Sequence, residues 1–278
     1  MSTENVLEIY QTMSSPKISV CITLMNRHDF MVGKLLELRT MNYDPKLLEI
    51  CITDGGSTDG LLALLKQEAH HFGQIKYALS SRSALPFKIP ENNPACDVNA
   101  QISNVASHEI IIRTDAEARF IHPDTIQMIA DTLTKEPDLC MSFHCHHMGE
   151  NFVYPRDMHE MTQHQVAFSK MSFICSVFTR THFIFNRGVH EPYALGFAAE
   201  DSYFHNWWKK NRKFRYPPKG HNVLHLWHGG WQSETRLKLK HDYTMPLYKQ
   251  MLKDNETPNK GNDAWKRPEM ISNVQVFK

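Results

Sequence analysis

Leu47–Gly60 reads LLEICITDGGSTDG: a seven-residue apolar, β-prone run, then an abrupt polar turn of three glycines and two aspartates. A short buried-looking run bounded by Gly and Asp reads as a strand. The leucine-rich stretch Leu61–His70 follows at once and reads as a helix. Working outward, Lys17–Met25 (KISVCITLM) is another β-rich run, and Asp29 is placed to cap a helix over Phe30–Met41, with Leu35, Leu36 and Leu38 near its centre. Downstream, Ile75–Leu79 is a short strand. Asn93-Pro94 opens a helix to Ala106 with Pro at the first helical position, and Glu109–Thr114 (EIIIRT) is a fourth strand ending at Asp115. Strand and helix alternating in this rhythm predict an α/β fold, with a mostly parallel sheet flanked by helices. Ligands of such sheets sit at the carboxyl ends of the strands. Asp54, Asp115 and Glu117 all fall at such ends, so they are expected to border one cleft.

Beyond Pro137 the rhythm loosens. Leu139–His147 (LCMSFHCHH) alternates like one strand, Gly149–His164 is a polar loop, and Phe173–Phe185 is apolar and aromatic. Glu200–Asn211 is helical, with Tyr203, Phe204, Trp207 and Trp208 as its apolar stripe. Asn222–Leu226 is a short strand leading into His228. No repeat or Gly/Ser linker divides the chain. The expected organisation is an extension over 1–16 and one domain over 17–250, whose halves are 17–120 and 121–250. A polar tail, 251–278, is expected to be mobile at its end.

Composition narrows the function. With 31 Lys plus Arg against 30 Asp plus Glu, the net charge is +1, which argues against a protein that coats nucleic acid through a basic surface. Hydrophobic residues at 41% and charged residues at 22% are ordinary globular values. No apolar run approaches the roughly 20 residues of a membrane-spanning helix. The N-terminus has neither a basic start nor an apolar core, so no secretory signal is expected. The six cysteines then read as reduced thiols of a cytoplasmic protein.

Three constellations carry chemistry. Asp115-Ala116-Glu117 offers two carboxylates just past a strand, suited to a hard divalent cation. Glu200-Asp201 heads a helix, where acids complement the dipole or act as a general base. His225-Leu226-Trp227-His228 brings two imidazoles three residues apart to the end of a strand. The basic stretch Asn206–Lys219, including Lys209–Lys219, holds six cations and no acid, and reads as a solvated helix face or a contact for an anionic membrane or acidic acceptor. Cys140, His144, Cys145, His146 and His147 look zinc-like, but alternation along one strand sends them to opposite faces.

The runs ISVCITLMNR, ICITDGGSTDG, EIIIRTDAE, GFAAED and HLWHGG, in this order over Lys17 to Trp231, resemble the GT-A nucleotide-sugar glycosyltransferases, especially inverting family 2. GFAAED and HLWH are similar to the carboxyl half of galactosyltransferase- and chondroitin-polymerase-type enzymes. The resemblance implies a GT-A fold, a nucleotide diphosphate sugar donor carried by UDP, a glycan or glycoconjugate acceptor, and Mn²⁺ or Mg²⁺. It places Thr23, Asn26 and Arg27 in the loop lining the nucleotide, Asp54 at the base or ribose, and Asn99 near the diphosphate. Asp115, Glu117 and His228 fall on the metal set, with Asp115 also facing the donor, and Asp201 on the catalytic base beside Glu200. Met25 stands for the family's usual aromatic, Asp97-Val98-Asn99 for an A-R-N-like triplet, and Glu117 for the usual Asp. A catalytically inactive binding module of the same fold is the competing reading. A metal hydrolase leaves DGGSTDG unaccounted for, and a nucleotidylyltransferase lacks its Gly-rich, Arg-ended loop here.

Overall fold

Strands covered by helices on both faces lose the alternation of a half-exposed sheet and become continuously apolar, and the first half of the chain follows that rule. The computed structural model describes residues 15–81, 95–169, 174–195, 200–229 and 234–278. In chain order it runs β1 (Ile18–Leu24), α1 (His28–Thr40), β2 (Leu48–Asp54), α2 (Leu61–Glu68), β3 (Gln74–Ser80), α3 (Ala95–Asn104) and β4 (Ile110–Thr114). Next come β5 (Ala118–Phe120), α4 (Thr125–Lys135), β6 (Cys140–Ser142), β7 (Cys145–Met148), the one-turn α5 (Met161–His164), β8 (Gln165–Ser169), β9 (Cys175–Thr179) and α6 (Arg180–Phe185). The remainder is α7 (Glu200–Asn211), β10 (Phe214–Arg215), β11 (Val223–His225), α8 (Glu234–Leu239), α9 (Met245–Asp254) and β12 (Ile271–Phe277).

The large sheet has the order β10-β6-β9-β4-β1-β2-β3-β12. Its middle strands, β3, β2, β1 and β4, are parallel, while β9 and β12 run antiparallel to β4 and β3. After β3 the chain crosses back past β1 to lay down β4. Order reverses at β1/β4, so a crevice opens at their carboxyl ends. Met31, Leu35, Leu65 and Ile129 cover one face of the sheet and Val98, Ile102, Phe183 and Trp208 the other. A second sheet, β5-β11-β7-β8, stands beside the crevice. No helix among the described residues is long and apolar enough to cross a membrane.

Three local expectations change. The single strand expected over Leu139–His147 breaks at Phe143 and His144: β6 joins the large sheet and β7 the small one, so Cys140 and Cys145 lie in different sheets. Asp29 lies within the first turn of α1 rather than capping it, and the His28 N–H is taken at 2.8 Å by Asp59 from the DGGSTDG turn. The tail expected to be mobile at its end is packed instead. Trp265 is buried against Phe183, β12 pairs with β3, and Arg267 grips Glu191 through two 2.8 Å contacts. The Asn259 amide donates to the Arg187 and Val189 carbonyls and accepts from Glu191 N–H. Its polar composition thus serves neighbouring backbone instead of water. The start of α3 at Asn93-Pro94 and the residues 196–199 and 230–231 lie outside the described set.

Candidate active site

β4 ends at Thr114 and the chain turns sharply: Ala118 N–H donates to Asp115 O at 3.2 Å, and β5 leaves in a new direction. β11 pairs antiparallel with β5, with His225 opposite Ala118, and Leu226 N–H donates to the Glu117 carbonyl at 3.1 Å. This backbone register carries the late histidines to the mid-chain acids. The rings of His225 and His228 lie 5.1 Å apart, and those of His147 and His225 5.3 Å. Sequence reading noticed His147 but assigned it to a zinc-like run. The signal that places it here is its register opposite His225 on β11, which only the tertiary pairing reveals.

The two acids of the turn have different surroundings. Burial pushes Glu117 up, but the Arg27 guanidinium, paired with it directly, and the His228 ring outweigh that and hold it below its ordinary value. Asp115 is pushed up to about 6 by burial, with Glu117 and Asp201 adding repulsion that Arg113, at 2.8 Å, does not cancel. At the head of α7, burial and the neighbouring Asp201 raise Glu200 to about 8, and burial raises Asp201. The charges of Asp115, Glu200 and Asp201 all interact with Arg113. Burial drives His225 down to about 3 and lowers His147 as well, so both rings are neutral at neutral pH. Asp115, Glu117, Glu200, Asp201, His147, His225 and His228 therefore form one connected electrostatic cluster.

The first loop and the DGGSTDG turn are stitched together beside this cluster. Asn26, at φ 51°, donates its N–H to Ser57 Oγ and accepts from Thr58 N–H through Oδ1; Asn tolerates this left-handed conformation better than most residues. Gly56 sits at φ +104°, which a β-carbon would strain. Asp54 is buried and engaged: Oδ1 accepts from Gly56 N–H, Ser57 N–H and Ser57 Oγ, and Oδ2 from the Tyr77 hydroxyl at 2.7 Å. It shapes the turn. The Thr23 and Thr53 hydroxyls, in register on β1 and β2, are buried without a hydrogen-bond partner among the described residues.

Asn99, expected near the diphosphate, requires correction. It is fully buried, and its amide both donates to the Val189 carbonyl at 2.7 Å and accepts from Val189 N–H at 2.8 Å. Both polar ends hold the loop before Glu191. The basic stretch is also partly spoken for. Lys213 and Arg215 pair with Glu136 at 2.6 and 2.7 Å, and Arg212 donates to Asn186.

As ligands for a divalent cation, the donors have suitable chemistry: carboxylates suit Mg²⁺ and Mn²⁺, and a neutral imidazole favours the latter. Burial raises Asp115 first, and the repulsion from Glu117 and Asp201 that adds to it is what a cation would relieve. Among the described residues no three such side chains are drawn in to ligand distance, and Arg27 occupies Glu117.

The family model of glycosyl transferase family 2 matches residues 19–193. No curated protein sequence matches the chain. Among solved structures, TarS from S. aureus (residues 1–349, with UDP-GlcNAc) superposes with a TM-score of 0.54 at 14% identity, over 77% of this chain and 59% of that one. Against the longer TarS structure the chain spans 37% of the length. A mannosyltransferase from Pyrobaculum calidifontis, with GDP-Man and Mn²⁺, gives 0.54 at 14% identity over 93% and 70% of the two chains. GalNAc-T7, with UDP, GalNAc and Mn²⁺, gives 0.56 at 11% identity over 91% and 54%. At these identities the likeness is one of fold, and the fold is GT-A. On the family match, which covers more than half of its length, the chain belongs to glycosyl transferase family 2.

Proposed function

We propose that the protein is a metal-dependent, inverting glycosyltransferase that moves a sugar from a UDP-sugar to a hydroxyl of a glycan or glycoconjugate. The observation that carries this reading is the meeting of Asp115 and Glu117, Glu200 and Asp201, and His225 and His228 at the carboxyl ends of the parallel strands. UDP as carrier is supported by the nucleotides bound in TarS and GalNAc-T7, although the mannosyltransferase holds GDP-Man.

In the proposed reaction Asp201 accepts the proton of the acceptor hydroxyl. The hydroxyl oxygen bonds to the anomeric carbon from the face opposite the diphosphate, and the bond to the diphosphate oxygen breaks with its electron pair. Configuration therefore inverts. Mn²⁺ or Mg²⁺ held by Asp115, Glu117 and His228 would neutralise the charge gathering on the leaving diphosphate. Burial favours this arrangement, because charge–charge interactions strengthen where water is excluded. Glu200 is held protonated at neutral pH and serves as a hydrogen-bond donor beside the base. Arg27 is placed to leave Glu117 for the diphosphate, with Asn26 and Thr23 along the nucleotide and Asp54 shaping the turn beneath it.

A thermal-shift series with UDP and GDP, each with and without Mn²⁺, tests the reading. A melting point raised only by nucleotide and ion together supports it, and no shift with either pair contradicts it. Released UDP in the presence of acceptor glycans separates the enzyme from an inactive binding module. Membrane contact through Lys209–Lys219 rests on Lys209, Lys210 and Lys219, which have no acidic partner among the described residues. Flotation with anionic liposomes tests that contact.

A further inference from the structure

Arg119 is 2% exposed, an unusual burial for an arginine. Its Nη1 donates to the Ala116 carbonyl at 2.6 Å and the Ala118 carbonyl at 2.8 Å, and its Nη2 to the Phe30 carbonyl on α1 at 2.6 Å. The carbonyl between the first two, that of Glu117, accepts from Leu226 N–H. Every carbonyl from Ala116 to Ala118 is thereby fixed, and two of the three by one guanidinium. Nη1 takes both loop carbonyls while Nη2 reaches α1, so the rigid fork ties the two together, whereas a lysine ammonium is a point charge on a flexible stem.

The surroundings are built around that fork. Gly33 lies in mid-α1, where glycine costs about 1 kcal/mol relative to alanine, yet a β-carbon there would lie 2.7 Å from Arg119 Nη2. One turn further along α1, buried Glu37 accepts from Phe120 N–H on β5 and pairs with buried Lys34 at 2.9 Å. The Tyr154 ring lies 5.8 Å from the guanidinium on another side. α1 begins directly after Arg27, the partner of Glu117, so its docking on β5 fixes the first loop and the acid loop relative to each other.

We infer that Arg119 is a positioning residue. Threaded through the gap that Gly33 leaves in α1, its guanidinium fixes the backbone around Glu117 and locks the acid loop to the helix that carries Arg27. The inference rests on the reading that Glu117 holds the ion.

Two measurements on the whole protein test it: binding of Mn²⁺ in the presence of UDP, followed by loss of the free-ion paramagnetic resonance signal, and amide exchange across 115–120. Arg119→Lys should remain folded by near-ultraviolet circular dichroism, weaken Mn²⁺ binding by about 10–100-fold, as loss of a group behind a metal ligand does, and speed exchange in that segment. Wild-type ion binding and wild-type protection in folded Arg119→Lys would overturn the inference. Should Arg119→Lys fail to fold, Gly33→Ala displaces the same guanidinium more gently and is judged by the same two outcomes. If the wild type itself binds no Mn²⁺ with UDP, the ion reading fails, and this inference falls with it whatever the exchange shows.

Discussion

Two glutamates at opposite ends of the parallel sheet have opposite fates. Glu49 lies at the amino end of β2, wholly buried. It accepts from Ser19 Oγ, from Gln74 Nε2 at 2.6 Å and from Ser107 N–H at 2.8 Å, and it pairs with Lys76 at 2.7 Å. Burial alone would raise it, yet these partners hold it at about 2. Glu200 faces the crevice at the carboxyl end, with one carboxylate oxygen buried and without a hydrogen-bond partner among the described residues, and is driven up to about 8 by burial and by Asp201. The contrast separates two uses of an acid. At one end every lone pair is matched and the charge serves the fold. At the other, matching is withheld and like charges are crowded, which costs stability and leaves the groups available to a ligand.

That contrast can be broken at either end. The largest effect is expected at Asp201: Asp201→Asn should lower turnover by about 10²–10⁴-fold while nucleotide binding stays near wild type, read by UDP release and by the melting-point rise that nucleotide produces. At the other end, Glu49→Gln removes the charged partner of half-buried Lys76 and should cost about 1.5–3 kcal/mol in urea unfolding at pH 7. The contribution of Glu49 is present above the ordinary carboxylate range and is lost as pH falls toward about 2, because its folded value is depressed. Asn99→Ala strands two backbone groups of Val189 and should cost about 1–3 kcal/mol without altering nucleotide affinity; a changed affinity at unchanged stability would return Asn99 to the donor pocket. The smallest effect has the opposite sign. The folded value of Glu200 is raised, so its contribution is present below the ordinary carboxylate range and lost as pH rises through about 8. Glu200→Gln should therefore melt a few degrees higher than wild type near pH 9 and differ little near pH 4.

The parallel strands were legible because burial on both faces leaves an unmistakable run of apolar residues, as in KISVCITLM and EIIIRT. Placing Asp54 and Asp115 at one edge of that sheet followed from the strand rhythm. What such runs do not encode is who satisfies whom. Asp54 closes on its own turn, Asn99 on Val189, and the polar tail on the backbone near Glu191, and each partner comes from a distant or irregular segment. The break between β6 and β7 was hidden for a related reason: LCMSFHCHH keeps one alternation while its two ends join different sheets. Arg119 escaped notice because a lone arginine after an acidic turn looks like surface, and only Gly33 in the helix opposite betrays the space kept for it.

The claim at the centre is that the mid-chain carboxylates and a late histidine share one ion beneath the diphosphate. Anomalous diffraction at the manganese edge, from crystals grown with UDP and Mn²⁺, tests it most directly. The expected result is a single strong peak within coordination distance of Asp115 or Glu117 and of His228. A peak held by other residues, or UDP bound in the crevice with no peak beside it, would contradict the account.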